Sequence, residues 1–100
     1  MVLLFKDESF TIIGKCFEMY NNLGLGFLEI VYKDALEYEF RKAGIPFERE
    51  KEYTVNYKGQ ILPHKFYADF VVYNKIILEI KKGKFYGRKN IQQLRNSLLC

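Results

Sequence analysis

Asp69, Glu79 and Lys81 are the residues whose type and spacing could do chemistry. They interrupt the stretch 66–81, which otherwise reads as two short apolar strands joined by a tight turn at Asn74-Lys75. Strands this apolar are usually buried on both faces. A charge there is costly unless it is paired or holds a metal. Two answers satisfy that demand: a buried carboxylate–lysine ion pair, or a metal site. If the two carboxylates converge, their mutual repulsion calls for a cation between them. Oxygen-only ligands suit a hard ion, Mg²⁺ or Mn²⁺, better than zinc. Such an ion activates water and neutralises charge building on a phosphate, with Lys81 placed to orient the water or neutralise phosphoryl oxygens. Spacing alone leaves both answers open.

Convergence sets a condition on the turn. Strand side chains alternate, so Glu79 and Lys81 share a face. A two-residue loop at Asn74-Lys75 would pair Tyr73 with Ile76 and send Asp69 to the other side. A three-residue loop over 73–75, or one β-bulge, pairs Asp69 with Glu79 instead. The chemistry therefore predicts a three-residue turn or a bulge.

The elements around this hairpin follow from apolar period and turn residues. A first helix is expected over 7–22, capped by Asp7 or Ser9, with Ile12, Ile13, Cys16, Phe17 and Tyr20 as its apolar face. Gly24-Leu25-Gly26 forms a hinge. A second helix is expected over 27–43, stopped by Gly44 with Pro46 beyond; its arc holds Leu28, Val31, Tyr32, Ala35, Leu36, Tyr38 and Phe40. Glu29 stands near its start, in line with Tyr32 and Leu36, where the helix dipole favours a carboxylate. Strands follow over 47–58, 61–73 and 75–82, then a loop and a last helix over 88–99. This order, two helices, a three-stranded antiparallel meander and a C-terminal helix, describes an α+β domain.

A chain of 100 residues is long enough for a single small core, so residues 1–100 form one domain. The apolar runs are shorter than a membrane span needs. Cys16 and Cys100 lie far apart in sequence with no metal-ligand spacing, and read as reduced thiols of a cytoplasmic protein. His64, beside Pro63, reads as solvated. The net charge is +4, but the acids all lie in the first 80 residues, while 81–100 carry Lys81, Lys82, Lys84, Arg88, Lys89 and Arg95. That basic end suits a polyanion, although a solvated helix face would show the same charges.

The segment Gly26-Phe27-Leu28-Glu29-Ile30-Val31-Tyr32 resembles the pattern that names the GxxExxY family, a compact branch of the PD-(D/E)xK nuclease superfamily. Asn22-Leu23-Gly24, Arg41-Lys42-Ala43-Gly44-Ile45 and Tyr57-Lys58-Gly59 match in style, so the likeness covers nearly the whole chain. It implies a restriction-endonuclease-like core. It also implies site roles: Glu29 as a helix-borne acid completing a metal site with Asp69 and Glu79, Lys81 as the catalytic lysine, and Gln93 approaching the site or substrate. Tyr32 matches the motif tyrosine, one helical step from Glu29, where packing and orienting suit it. With Lys82, Lys84, Arg88 and Lys89 it joins the residues expected near substrate. The sequence departs from the family at Asn90, where a histidine is usual, and at Ser97, where a tyrosine is usual. The family's last strand is expected to be missing, which leaves an open sheet edge for a partner or second copy, or marks a truncated chain.

The resulting expectation is a Mg²⁺- or Mn²⁺-dependent nuclease acting on nucleic acid, DNA foremost, with no membrane association. The competing expectation is a non-catalytic nucleic-acid-binding or protein-interaction domain that keeps the nuclease fold.

Overall fold

The computed structural model describes residues 5–80 and 97–100. Helix α1 spans Lys6–Leu23, with Asp7 and Glu8 in its first turn. Neither Asp7 nor Ser9 caps it: the position before the helix is Phe5, in left-handed backbone and without a side-chain cap. Its buried face is Ser9, Ile12, Cys16 and Met19. Phe17, expected on that face, is 65% exposed. Positions 12, 16 and 19 recur at i, i+4 and i+7, and position 17 stands about 100° of helix rotation from 16. Helix α2 spans Glu29–Ala43 and buries Tyr32, Leu36 and Phe40, one residue per turn. It ends on Gly44 at φ 70°. The Gly44 amide donates to the Arg41 carbonyl and the Ile45 amide to the Phe40 carbonyl, a pairing that satisfies the orphan carbonyls of the last turn. Ile45 follows into the core.

Strand β1 spans Phe47–Tyr53. The single strand expected over 47–58 breaks at Thr54-Val55, and a separate ribbon of β2, Asn56–Tyr57, and β3, Gln60–Ile61, folds back through Lys58-Gly59. Both turn residues have positive φ, 50° and 84°. The second expected strand is divided likewise, with β4 at Phe66–Val72 beyond Pro63. Strand β5 covers Ile76–Glu79. Pairing β1–β4 and β4–β5 is antiparallel, which gives the expected meander.

The chain also contains the strand expected to be missing. Ser97–Leu99 is strand β6, paired parallel to β5 through Ile77↔Ser97, Leu78↔Leu98 and Glu79↔Leu99. The sheet order is β1-β4-β5-β6, so the β5 edge is covered from within the chain. The last expected helix therefore does not reach Leu99; the rest of it, 88–96, lies outside the described residues. Apolar residues at 94 and 98 fit helical spacing, but a three-residue parallel strand takes its stability from the edge it covers, which local spacing does not report.

The core lies between the helices and one side of the sheet: Ile12, Cys16, Met19, Tyr32, Leu36 and Phe40 against Phe70, Val72, Ile76, Leu78 and Ile80. Phe40, Phe47 and Phe70 form a ring cluster with centroids 5.4–5.9 Å apart. Burying each such side chain stabilises the fold by about 1.5–3 kcal/mol. This packing fixes α2 beside the hairpin that carries Asp69 and Glu79.

Candidate active site

The hairpin closes with Val72 opposite Ile76, through Val71↔Ile77 to Phe70↔Leu78. Its loop is Tyr73-Asn74-Lys75, three residues, with Tyr73 and Asn74 at φ 57° and 60°. The Lys75 amide donates to the Val72 carbonyl at 3.2 Å, and the Tyr73 amide to the Pro46 carbonyl at 2.9 Å. The next residues in step are Asp69 and Glu79. The three-residue turn required for convergence is thus present, and the same register carried one step further puts residue Asp69 opposite residue Glu79. Both are buried, at 9% and 5% exposure.

The ladder as paired ends at Phe70↔Leu78. Past it, the Ile80 amide donates to Asp69 Oδ2 at 2.8 Å, and the Glu79 carbonyl accepts from the Cys100 amide across β5–β6. Asp69 thus holds the point where β4 and β5 part. Its other oxygen, Oδ1, is 3.0 Å from the Lys33 ammonium. Lys33 also reaches Glu50 Oε1 at 2.8 Å. Burial alone would lower the Lys33 pKa, but the hydrogen bonds to Glu50 and Asp69 outweigh it and raise it above the ordinary lysine value. Glu50 lies between the pairs Arg49↔Phe70 and Lys51↔Ala68, in step with Asp69, and takes φ 56° in mid-strand. That conformation is strained for a residue other than glycine.

Lys33 and Glu50 were not singled out in the sequence. Lys33 sits four residues after Glu29, hence on the same helix face, and that spacing was the signal available. Glu50 offers none, because in sequence it is one more charge in an alternating strand. Glu29 itself is exposed in the first turn of α2. Among the described residues, no three His, Cys, Asp or Glu side chains gather as an ion would need. Asp69 and Glu79 occupy the same step of the register, one residue past the paired ladder; Glu29 forms no acidic cluster with them, and from α2 it is Lys33 that reaches Asp69, at 3.0 Å.

Tyr32 is buried, and its hydroxyl donates to the Gly24 carbonyl at 2.8 Å and accepts from the Phe27 amide at 3.2 Å. Its ring packs edge-on against Phe27. Tyr32 therefore ties the hinge to α2, which is a positioning role; the expected contact with substrate is not open to it. Lys81, Lys82, Lys84, Arg88, Lys89 and Gln93 lie outside the described residues. His64 is exposed, as expected.

The two cysteines, remote in sequence, meet in the fold. Cys100 packs against the core cluster that contains Cys16. The neighbouring Cys100 thiol, with burial, pushes the Cys16 thiol well above the ordinary thiol range. Burial, helped by the neighbouring thiols, pushes the Tyr20 phenol up to about 12. An open cavity of about 630 Å³ lies at the C-terminal end of α2. Its charged walls, Glu37, Arg41 and Arg49, are already paired with one another.

Two helices on a mixed sheet, with two buried carboxylates where central strands part, define a nuclease-like α+β domain. The family profile of the PD-(D/E)XK nuclease superfamily matches residues 6–99, and the chain belongs to that superfamily. No curated protein and no solved structure matches it. Among the described residues, no helix is long and apolar enough to cross a membrane.

Proposed function

We propose that the protein is a metal-dependent nuclease that hydrolyses phosphodiester bonds, with DNA as the foremost substrate, in the GxxExxY branch of its superfamily. The observation that carries this reading is the three-residue turn, whose register, carried one step beyond the paired ladder, brings Asp69 level with Glu79 where the strands part. Two carboxylates on rigid strands fit a hard divalent ion, since Mg²⁺ is commonly bound through one or two carboxylates and completes its shell with water and phosphate oxygens. In this reading Asp69 and Glu79 hold Mg²⁺ or Mn²⁺ without Glu29, which forms no acidic cluster with them. The ion supplies polarisation of water and neutralisation of charge on the scissile phosphate.

The remaining work falls to the chain. Lys81, two residues beyond Glu79, orients the attacking water or neutralises a phosphoryl oxygen. Lys82, Lys84, Arg88 and Lys89 bind backbone phosphates without reading sequence, and Gln93 approaches the site or substrate. The Ile80 amide fixes the Asp69 carboxylate and so limits its rotation.

The test is cleavage of single- and double-stranded DNA and RNA with Mn²⁺ or Mg²⁺, beside chelator and the variants Asp69→Asn and Glu79→Gln. The expected result is metal-dependent cleavage by the wild type alone, with each variant losing about a hundredfold or more, the scale set by removing one preorganised charge-stabilising group. Metal-independent binding without cleavage would favour the non-catalytic nucleic-acid binder instead.

A further inference from the structure

We propose that Lys33 is a built-in counter-cation of the metal-free site. In this proposal Glu50 is the berth to which the Lys33 ammonium withdraws when a divalent cation takes Asp69. It rests on the reading of Asp69 and Glu79 as metal ligands.

Lys33 Nζ bridges Asp69 Oδ1 at 3.0 Å and Glu50 Oε1 at 2.8 Å. A divalent ion needs the same Asp69 carboxylate that the ammonium now contacts. Two cations on one carboxylate repel at short range, so occupation by metal requires the ammonium to let go. The route is set by exposure. The Asp69 side chain is 12% exposed and that of Glu50 is 47% exposed, so release from Asp69 moves the charge toward solvent while Glu50 still pairs it. A lysine's four-carbon stem allows this swing without movement of the helix.

Glu50 is made for the role by an unusual backbone. Its φ of 56° lies in mid-strand, directly in step with Asp69, while Arg49 and Lys51 on either side keep the ladder register. Strain of this kind persists where the surrounding structure demands it. Here its product is a carboxylate within hydrogen-bonding distance of Lys33. The pair explains how the buried Asp69 keeps a charge partner without metal, and why a single acidic neighbour would be insufficient for exchange.

The test is Mn²⁺ titration of the full chain, followed by the EPR signal of free Mn²⁺ in the absence of nucleic acid. Lys33→Met and Lys33→Gln are expected to bind about tenfold tighter than wild type, within the usual range of coupling between sites. Glu50→Gln is expected to bind more weakly, because Lys33 is left with Asp69 alone. In the double variant Lys33→Met with Glu50→Gln, the Glu50 effect is expected to vanish, since its action runs through Lys33. Circular dichroism checks the fold of each, and Lys33→Gln, which keeps a hydrogen bond to Asp69, carries the test if Lys33→Met unfolds. Wild-type binding with no gain in the Lys33 variants overturns the counter-cation role. A Glu50→Gln loss that persists in the double variant makes Glu50 a ligand and overturns the berth. No binding by any of the proteins overturns the metal reading itself, and this proposal with it.

Discussion

The Tyr32 hydroxyl is shared between two backbone groups of the hinge, the Gly24 carbonyl and the Phe27 amide. Tyr32→Phe keeps the buried ring and its contacts with Tyr20 and Phe27 but leaves both backbone groups without that partner. It is expected to destabilise the protein by about 1–2 kcal/mol, given the cost of unmaking hydrogen bonds at partly buried groups. The check is a lower urea midpoint with an unchanged m-value; an unmoved midpoint would mean the tie contributes nothing. At this scale the sequence was legible where chemistry constrained it. Charges in apolar strands marked Asp69 and Glu79, and the demand that they meet named the turn correctly. Lys33 and Glu50 escaped because their meaning lies in a helix–strand contact of sequence separation 17, which no local period encodes. The pairing of Cys16 with Cys100 escaped for the same reason.

Helix α2 is fastened to β1 by a second ionic group. Arg49 reaches Asp34 at 2.8 Å and Glu37 at 3.0 Å, and Arg41 reaches Glu37 at 3.0 Å. Hydrogen bonds from Arg49 and then Arg41 hold the Glu37 carboxyl below its ordinary value of 4.5. The folded value is depressed, so the unfolded chain binds the proton first as pH falls. The stabilisation is therefore complete above the ordinary value and is lost as pH drops through the folded one. Glu37→Gln is expected to melt below the wild type at neutral pH and to match it in strong acid. A gap that stays constant across a pH series of thermal melts would assign the effect to packing instead of charge. The first two helices were legible, since Gly24, Gly44 and the 3.6-residue period bound them closely. Strand extents were not: the break after Tyr53 and the parallel strand at Ser97–Leu99 depend on which edges the sheet leaves to be covered. The latter covers the β5 edge that had suggested a partner strand, and leaves β1 and β6 as the outer strands of the sheet.

The molecule as a whole separates its charges. The twelve acids lie within residues 1–80, where ion pairs such as Lys33–Asp69, Arg49–Glu37 and Lys65–Glu52 employ many of them. Six of the sixteen Lys and Arg residues lie in 81–100 with no acid among them. If that end engages phosphates, binding is driven by counterion release, and affinity falls with salt at a slope near −0.9 per contact on duplex DNA. Six contacts would set a ceiling of about −5 for the slope of log affinity against log salt. Asp69→Asn, expected to be unable to cleave, permits that measurement on intact DNA. Lys82→Ala, Lys84→Ala and Arg88→Ala added singly in that background are each expected to shallow the slope by about 1, uniformly across sequences. The same substitutions on the wild-type background should leave Mn²⁺ binding unchanged, because they carry phosphate contacts and not the ion. A slope that ignores all three would locate the nucleic-acid surface elsewhere, and coupled loss of Mn²⁺ binding would show that the basic end shapes the carboxylate site directly.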